Sequence, residues 1–160
     1  MSTANDLAFV RDTLSRLQNW GIIAWVFGGW AEELLGLAPQ RAHRDLDLLY
    51  LGNDFGRLDS FLASDTQATE IAGKRFAHKR AFLRDVIMVE VTLVQPGPRG
   101  GFCTLFWGDT QHDWPADVFS MEVNGIRVAS AASLHCYRAN HARLRWSPER
   151  ASRSSHMPCH

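Results

Sequence analysis

Val86-Ile87-Met88-Val89-Glu90-Val91-Thr92-Leu93-Val94 is the segment that most restricts the fold. It is a run of apolar and β-branched residues broken by a single charge. Such a run reads as a strand buried on at least one face. Side chains alternate along a strand. Val86, Met88, Glu90, Thr92 and Val94 therefore share one face, and Ile87, Val89, Val91 and Leu93 take the other. A glutamate inside that run is costly unless it is paired with a cation or bound to metal. A buried strand also needs neighbours, so the rest of the chain has to supply a sheet.

Two further segments fit that sheet. Ile22-Ile23-Ala24-Trp25-Val26-Phe27 is a short apolar run closed by Gly28-Gly29, and Asp45 to Leu51 alternates carboxylates with leucines. Helices fall between the strands. Leu7, Val10, Leu14 and Leu17 recur at spacings of three and four, which predicts a helix over 5–19 with Asn5 or Thr3 as its cap. Trp30 to Leu37 predicts a short helix that ends near Pro39, and 53–64 predicts another. Thr66 to Phe82 reads as a hairpin with its turn near Gly73-Lys74, and Pro96 to Gly101 as a loop. Short strands are expected at 102–106 and 126–129, with a turn at Asn124-Gly125. Ser130 or Ser133 starts a last helix running to about Arg145. Residues 149–160, rich in Ser, Arg and His, read as a loose tail behind a single domain spanning 1–148. The element order predicts an α/β (α+β) domain, a mixed sheet flanked by helices.

Composition narrows the function classes. Lys plus Arg equals Asp plus Glu, 17 each, which argues against bulk nucleic acid as the main partner. No apolar run approaches the roughly 18 residues of a membrane span, and the N-terminal residues do not read as a signal peptide. Cys103, Cys136 and Cys159 lack CxxC spacing, so free thiols in a cytoplasmic protein are the simplest reading.

The chemistry concentrates in three places. Asp45 and Asp47 lie two apart on a strand, so both carboxylates share a face while Leu46 and Leu48 enter the core. Side by side they repel, and a divalent cation with oxygen ligands is the natural compensation. Two solvated aspartates on an edge strand is the alternative. Glu90 completes a triad if its strand lies beside theirs, about 5 Å away. Such a triad can hold metal ions for displacement at phosphorus. An ion pair of Glu90 with Lys79, Arg80 or Arg84 is the equal alternative. Gly28-Gly29, after a strand and before a helix, lets a backbone approach an anion closely. Arg44 precedes the aspartates and reads either as a phosphate contact or as a surface ion pair. Trp107, Asp109, Asp113, Trp114 and Asp117 mix aromatic and acidic residues on expected loops, which suits a sugar or an amine, or else simple core packing of the tryptophans.

Gly28-Gly29-Trp30-Ala31, Leu34-Leu35-Gly36 and His43-Arg44-Asp45-Leu46-Asp47 resemble the signature of bacterial antibiotic nucleotidyltransferases. The nearest groups are the aminoglycoside 2″-adenylyltransferases and lincosamide nucleotidyltransferases of the polymerase-β-like superfamily. The resemblance is dense over about 20–50 and thinner through Glu90, Trp114 to Asp117 and Tyr137 to Arg145. It implies the nucleotidyltransferase fold, Mg²⁺ on Asp45 and Asp47, and ATP as donor with its triphosphate at Gly28-Gly29. It also implies Glu90 as metal ligand or general base, and Glu33 at the family's acidic position near the acceptor. The partner implied is a small-molecule acceptor, with no membrane involved, and a homodimer is compatible with it. Glu90 and Thr92 stand where Asp and His are common in the family. The extra methylene of Glu90 adds about 1–1.5 Å of reach. Transfer to a protein or tRNA, and a non-catalytic relative that only binds nucleotide, are the competing readings.

Overall fold

The computed structural model describes residues 4–155. Helix α1 (Leu7–Asn19) leads into strand β1 (Ala24–Phe27), helix α2 (Gly28–Leu34) and strand β2 (Asp45–Leu51). Helix α3 (Gly56–Ser64) is followed by β3 (Ala68–Glu70), a 3-10 turn at Ala72–Lys74, β4 (Lys79–Arg84) and β5 (Ile87–Pro96). Two hairpins come next, β6 (Phe102–Phe106) with β7 (Thr110–Trp114) and β8 (Met121–Val123) with β9 (Ile126–Val128). Helices α4 (Ala131–Ala139), α5 (His141–Leu144) and α6 (Pro148–Ser155) close the described chain.

The sheet runs β3-β4-β5-β2-β1-β9-β8, with β6 and β7 continuing from the far end of β5. The long apolar strand takes a central place. It runs parallel to β2 on one side and antiparallel to β4 on the other. The alternation in β5 is as read: Ile87, Val89, Val91 and Leu93 are buried, while Met88, Glu90 and Thr92 are half-buried on the opposite face. In β2, Leu46 and Leu48 enter the core and Asp45 and Asp47 face the other way. The mixed α/β domain expected from the element order is the observed one.

The departures have local causes. Asp6, not Asn5 or Thr3, caps α1, accepting from the Phe9 amide at 2.9 Å. Thr3 lies outside the described residues. Helix α2 begins at Gly28 rather than Trp30, because Gly28 takes φ +61° and turns the chain directly from strand into helix. Of the acidic and aromatic residues expected on loops, Trp107, Asp109 and Asp117 lie in turns, but Asp113 and Trp114 lie in strand β7. Its alternation is present, with His112 and Trp114 buried and Gln111 and Asp113 exposed. The buried positions carry His and Trp instead of aliphatic residues, which hides the signal. The last helix starts at Ser130 as expected but breaks at Asn140, whose side chain donates to the Cys136 carbonyl at 2.9 Å. Where a loose tail was expected from 149, the chain is helical to Ser155. Arg150 ties α6 down by donating to the Arg143 carbonyl at 2.6 Å and to Thr110 Oγ1 at 3.1 Å. Residues 156–160, including Cys159, lie outside the described residues. Among the described residues, Cys103 and Cys136 are unpaired thiols, and no helix is long and apolar enough to cross a membrane.

Candidate active site

The sheet register brings the key carboxylates together. Asp47 pairs with Glu90 across the parallel β2–β5 ladder and with Phe27 across β1. Residues level with each other in adjacent strands carry their side chains on the same face, about 5 Å apart. Gly28 follows Phe27, so the glycine turn stands directly over Asp47. A Cβ on Gly28 would lie 2.4 Å from Asp47 Oδ2. Asp45 pairs with Met88 and lies exposed at the solvent end of β2.

The electrostatics of the pair are unequal. Burial and the nearby Glu90 charge push the Asp47 carboxyl up to about 7, against the pull of Lys79. Glu90 goes the other way. Burial alone would raise it, but Lys79 and Lys74 outweigh that and hold it below the usual carboxylate value. Lys74 Nζ reaches Glu90 Oε1 at 2.6 Å and Lys79 Nζ reaches Oε2 at 3.0 Å. The ion-pair reading of Glu90 therefore holds, through Lys79 and also Lys74; Arg80 instead pairs with Asp59, and Arg84 with Asp12. Among the described residues, Asp45, Asp47 and Glu90 do not gather into a three-carboxylate metal group. The donor set still fits a hard divalent cation at the aspartates. Asp47 is a desolvated carboxylate beside a like charge, and a cation would relieve that strain.

Helix α2 and the segment before β2 build the wall behind the glycines. His43 is buried, stacks on Trp30 with centroids 4.1 Å apart, and bonds Glu33 Oε1 at 2.9 Å. The Arg41 amide donates to the same oxygen at 3.0 Å. Burial favours the neutral acid of Glu33, but these two partners hold it below its ordinary value. Glu33 thus fastens the loop, and it is not among the residues that line the cavity over Asp47. Its neighbour Glu32 lies four residues after Gly28, on the same face of α2. It lines the cavity above Asp47 and pairs with Arg138 of α4. Arg44 is exposed and forms no hydrogen bond or ion pair with the described residues. Arg41 lies over Gly29: a Cβ there would meet its Nη2 at 2.3 Å.

Asn5, read from sequence as a cap, holds this wall to the end of β2. Its Nδ2 donates to the carbonyls of His43 at 3.2 Å and Asp45 at 3.0 Å, and its Oδ1 accepts from Trp30 Nε1 at 3.0 Å. Asn5→Ala leaves the Trp30 N–H unpaired in a buried setting. It should cost about 1–3 kcal/mol, read as a loss of several degrees in Tm by calorimetry. An unchanged Tm would show the bracing to be idle.

A cavity of about 270 Å³ opens over the carboxylates. Phe27, Trp114 and Tyr137 form its apolar wall, and Lys79, Glu32 and Arg138 its polar rim. Trp114 is buried, donates from Nε1 to Thr104 Oγ1 at 2.9 Å, and stacks parallel to Tyr137 at 6.2 Å. It is both core residue and cavity wall. Asp113 alternates to the outer face, where it accepts from Gln111 Nε2 at 2.8 Å, and does not line the cavity. Tyr137 joins the site from α4. Burial and the charges of Asp47 and Glu90 raise its phenol above the usual value. Its spacing four residues before His141 was the available signal, since both line the cavity.

Comparison with known proteins bears on the fold and the family. A search of curated protein sequences gives no significant match. The lincosamide antibiotic adenylyltransferase LnuA, in its lincomycin-bound crystal structure, superposes with a TM-score of 0.68 at 13% identity, covering 94% of this chain and 95% of its own. ANT(2″)-Ia in complex with adenylyl-2″-tobramycin gives 0.57 at 13%, covering 92% and 84%. A Thermotoga maritima protein assigned as a nucleotidyltransferase gives 0.56 at 20%, covering 86% and 85%. At these identities the likeness is one of fold. The family model described as aminoglycoside-2″-adenylyltransferase matches residues 9–101, more than half of the chain. That segment runs from α1 past β5 and carries Gly28, Asp45, Asp47 and Glu90. The chain belongs to the aminoglycoside-2″-adenylyltransferase family and is a nucleotidyltransferase.

Proposed function

We propose that the protein transfers AMP from ATP to a hydroxyl of a small molecule of the aminoglycoside or lincosamide kind, with Mg²⁺ held by Asp45 and Asp47. The observation that carries this is the register pair Asp47–Glu90 beneath the positive-φ turn at Gly28. A desolvated carboxylate pair beneath a close backbone turn suits a divalent cation and the phosphates it carries. Held by Asp45 and Asp47, the cation would polarise the phosphoryl oxygens and neutralise their charge.

The chain's own residues do the rest. Gly28 and Gly29 receive the triphosphate, with Arg41 over Gly29 and the exposed Arg44, just before Asp45, as a second cation for it. The acceptor oxygen forms its bond to the α-phosphorus as the bond to the bridging oxygen breaks, and pyrophosphate leaves with that electron pair. Glu90 takes the acceptor proton; Lys74 and Lys79 keep it ionised for that task. Phe27, Trp114 and Tyr137 exclude water from the reacting centre. Catalysis is then mostly positioning and charge neutralisation. The unpaired thiols and the ATP requirement favour a cytoplasmic setting.

The test is an acceptor screen with labelled ATP and Mg²⁺, read by mass spectrometry of the products. The expected result is an acceptor heavier by one AMP, with stoichiometric pyrophosphate. Label appearing only on protein or RNA would replace the small-molecule reading.

A further inference from the structure

A second cavity, of about 500 Å³, adjoins the first on the side away from Gly28. The two share Lys79, Thr92, Phe106, Tyr137 and His141. Resting on the proposed function, we infer that this second cavity seats the acceptor, and that it selects a neutral or singly charged molecule with an apolar face and rejects polyamines.

The order of strands supports the location. Across the sheet the site residues run Gly28 after β1, Asp47 on β2, Glu90 on β5 and Lys79 on β4. With the triphosphate at the Gly28 end, in-line attack brings the acceptor from the opposite end. The second cavity stands there, beside Glu90 and its two lysines. Its volume lies within the range of small-molecule sites, about 300–1,000 Å³.

The lining supports the selectivity. Phe76, Trp107 and Trp146 form an aromatic wall, with Trp146 60% exposed at the rim. His78 adds an uncharged ring: burial and the nearby Lys79 push it down to about 3, and its Nδ1 accepts from the Trp107 amide at 3.0 Å. The fixed charges are Lys74, Lys79 and Arg145, and among the described residues no carboxylate lines this cavity. Glu90, which lines the first cavity, pairs with both lysines and cancels one of them. A net positive wall remains. A polyamine needs the reverse, several carboxylates facing it. Three acidic residues of the neighbouring strands and turns are engaged elsewhere. Asp113 is on the outer face of β7, Asp117 accepts from Ser130 Oγ at 2.9 Å, and Asp109 lies 3.7 Å from Arg153. An aromatic wall tolerates a single amine.

The experiment uses the full chain with Mg²⁺ and a non-hydrolysable ATP analogue. Lincomycin, which carries one amine, and tobramycin, which carries five, are titrated by ligand-observed NMR. Wild type should bind lincomycin at least tenfold more tightly than tobramycin. Arg145→Glu, at an exposed position, should shift that ratio at least tenfold toward tobramycin and leave the analogue's Kd unchanged. Arg145→Gln should shift it part of the way. Tobramycin binding as tightly as lincomycin, no binding of lincomycin, or an Arg145→Glu effect confined to the nucleotide would each overturn the inference. Turnover with ATP separates this from the reading beneath it. AMP transfer to tobramycin in preference to lincomycin sinks the inference alone; tight lincomycin binding without AMP transfer to any small molecule sinks the proposed function alone.

Discussion

Asp47→Asn is expected to lower kcat on the order of a thousandfold and, in metal-free buffer above about pH 7, to yield a protein more stable than wild type. Both effects come from one carboxylate. Asp47 sits between Phe27 and Glu90 in register and under the Gly28 turn, so a neutral amide there cannot compensate a cation. The stability effect follows from the raised pKa, from 3.8 to about 7 in the folded protein. A carboxyl whose pKa is raised on folding favours the folded state at low pH, where both states are protonated, and that advantage is lost as pH rises through the folded value. Wild type should therefore weaken between about pH 4 and pH 7, by at most about 4 kcal/mol. The asparagine variant has no proton to lose at this position. Calorimetry of both proteins from pH 4 to pH 8 should show Tm curves that diverge with rising pH. Parallel curves would mean that Asp47 is an ordinary solvated carboxylate. Added Mg²⁺ should restore the wild-type Tm above pH 7 and do little for the variant, because only a cation-binding folded state is stabilised by mass action.

The half of this site proposed to take the donor is legible in the sequence because it is written in local patterns. Two aspartates alternating with leucines fix their own face, and a glycine pair between a strand and a helix fixes the turn. Glu90 is legible as an anomaly in an apolar strand, but its partner is not. Whether it meets Asp47 or a lysine depends on which strands are neighbours, and the answer is both: β2 on one side brings Asp47, and β4 on the other brings Lys79. Lys74 comes from the short turn at Ala72–Lys74, which has no periodicity to announce it. The acceptor half is poorly legible for the same reason. Glu33 matches a family position, yet helical phase turns it toward His43 and leaves Glu32 facing the cavity. Asp113 sits one residue from Trp114, and strand alternation sends the two to opposite faces. A reading of composition treats both as one acidic-aromatic patch; only the ladder between β6 and β7 separates them.

The glycine pair should prove unequal under mutation. Gly28→Ala meets two obstacles at once. Its φ of +61° is strained for a residue with a Cβ, at about 1–3 kcal/mol. The new methyl would also stand 2.4 Å from Asp47 Oδ2 and 3.1 Å from its Cγ, so the carboxylate has to move. Asp47 is a short side chain fixed in a ladder with little room, and a displacement of about 1 Å at a reacting centre can cost on the order of a hundredfold in rate. Gly28→Ala should thus lose about that factor in kcat, together with a measurable drop in Tm. Gly29 is not in the positive-φ region, and the atom nearest its added Cβ is Arg41 Nη2 at 2.3 Å, the end of a long exposed side chain free to swing aside. The next contact, His43 Nδ1 at 3.2 Å, asks for a shift of a few tenths of an ångström. Gly29→Ala should retain most of kcat, and its effect should fall on the KM for nucleotide, since Arg41 is displaced from beside the phosphate turn. Steady-state kinetics of the two variants side by side decide the matter. Equal losses in kcat would mean that the pair acts only as a flexible turn, and that the approach of Gly28 to Asp47 has no part in the chemistry.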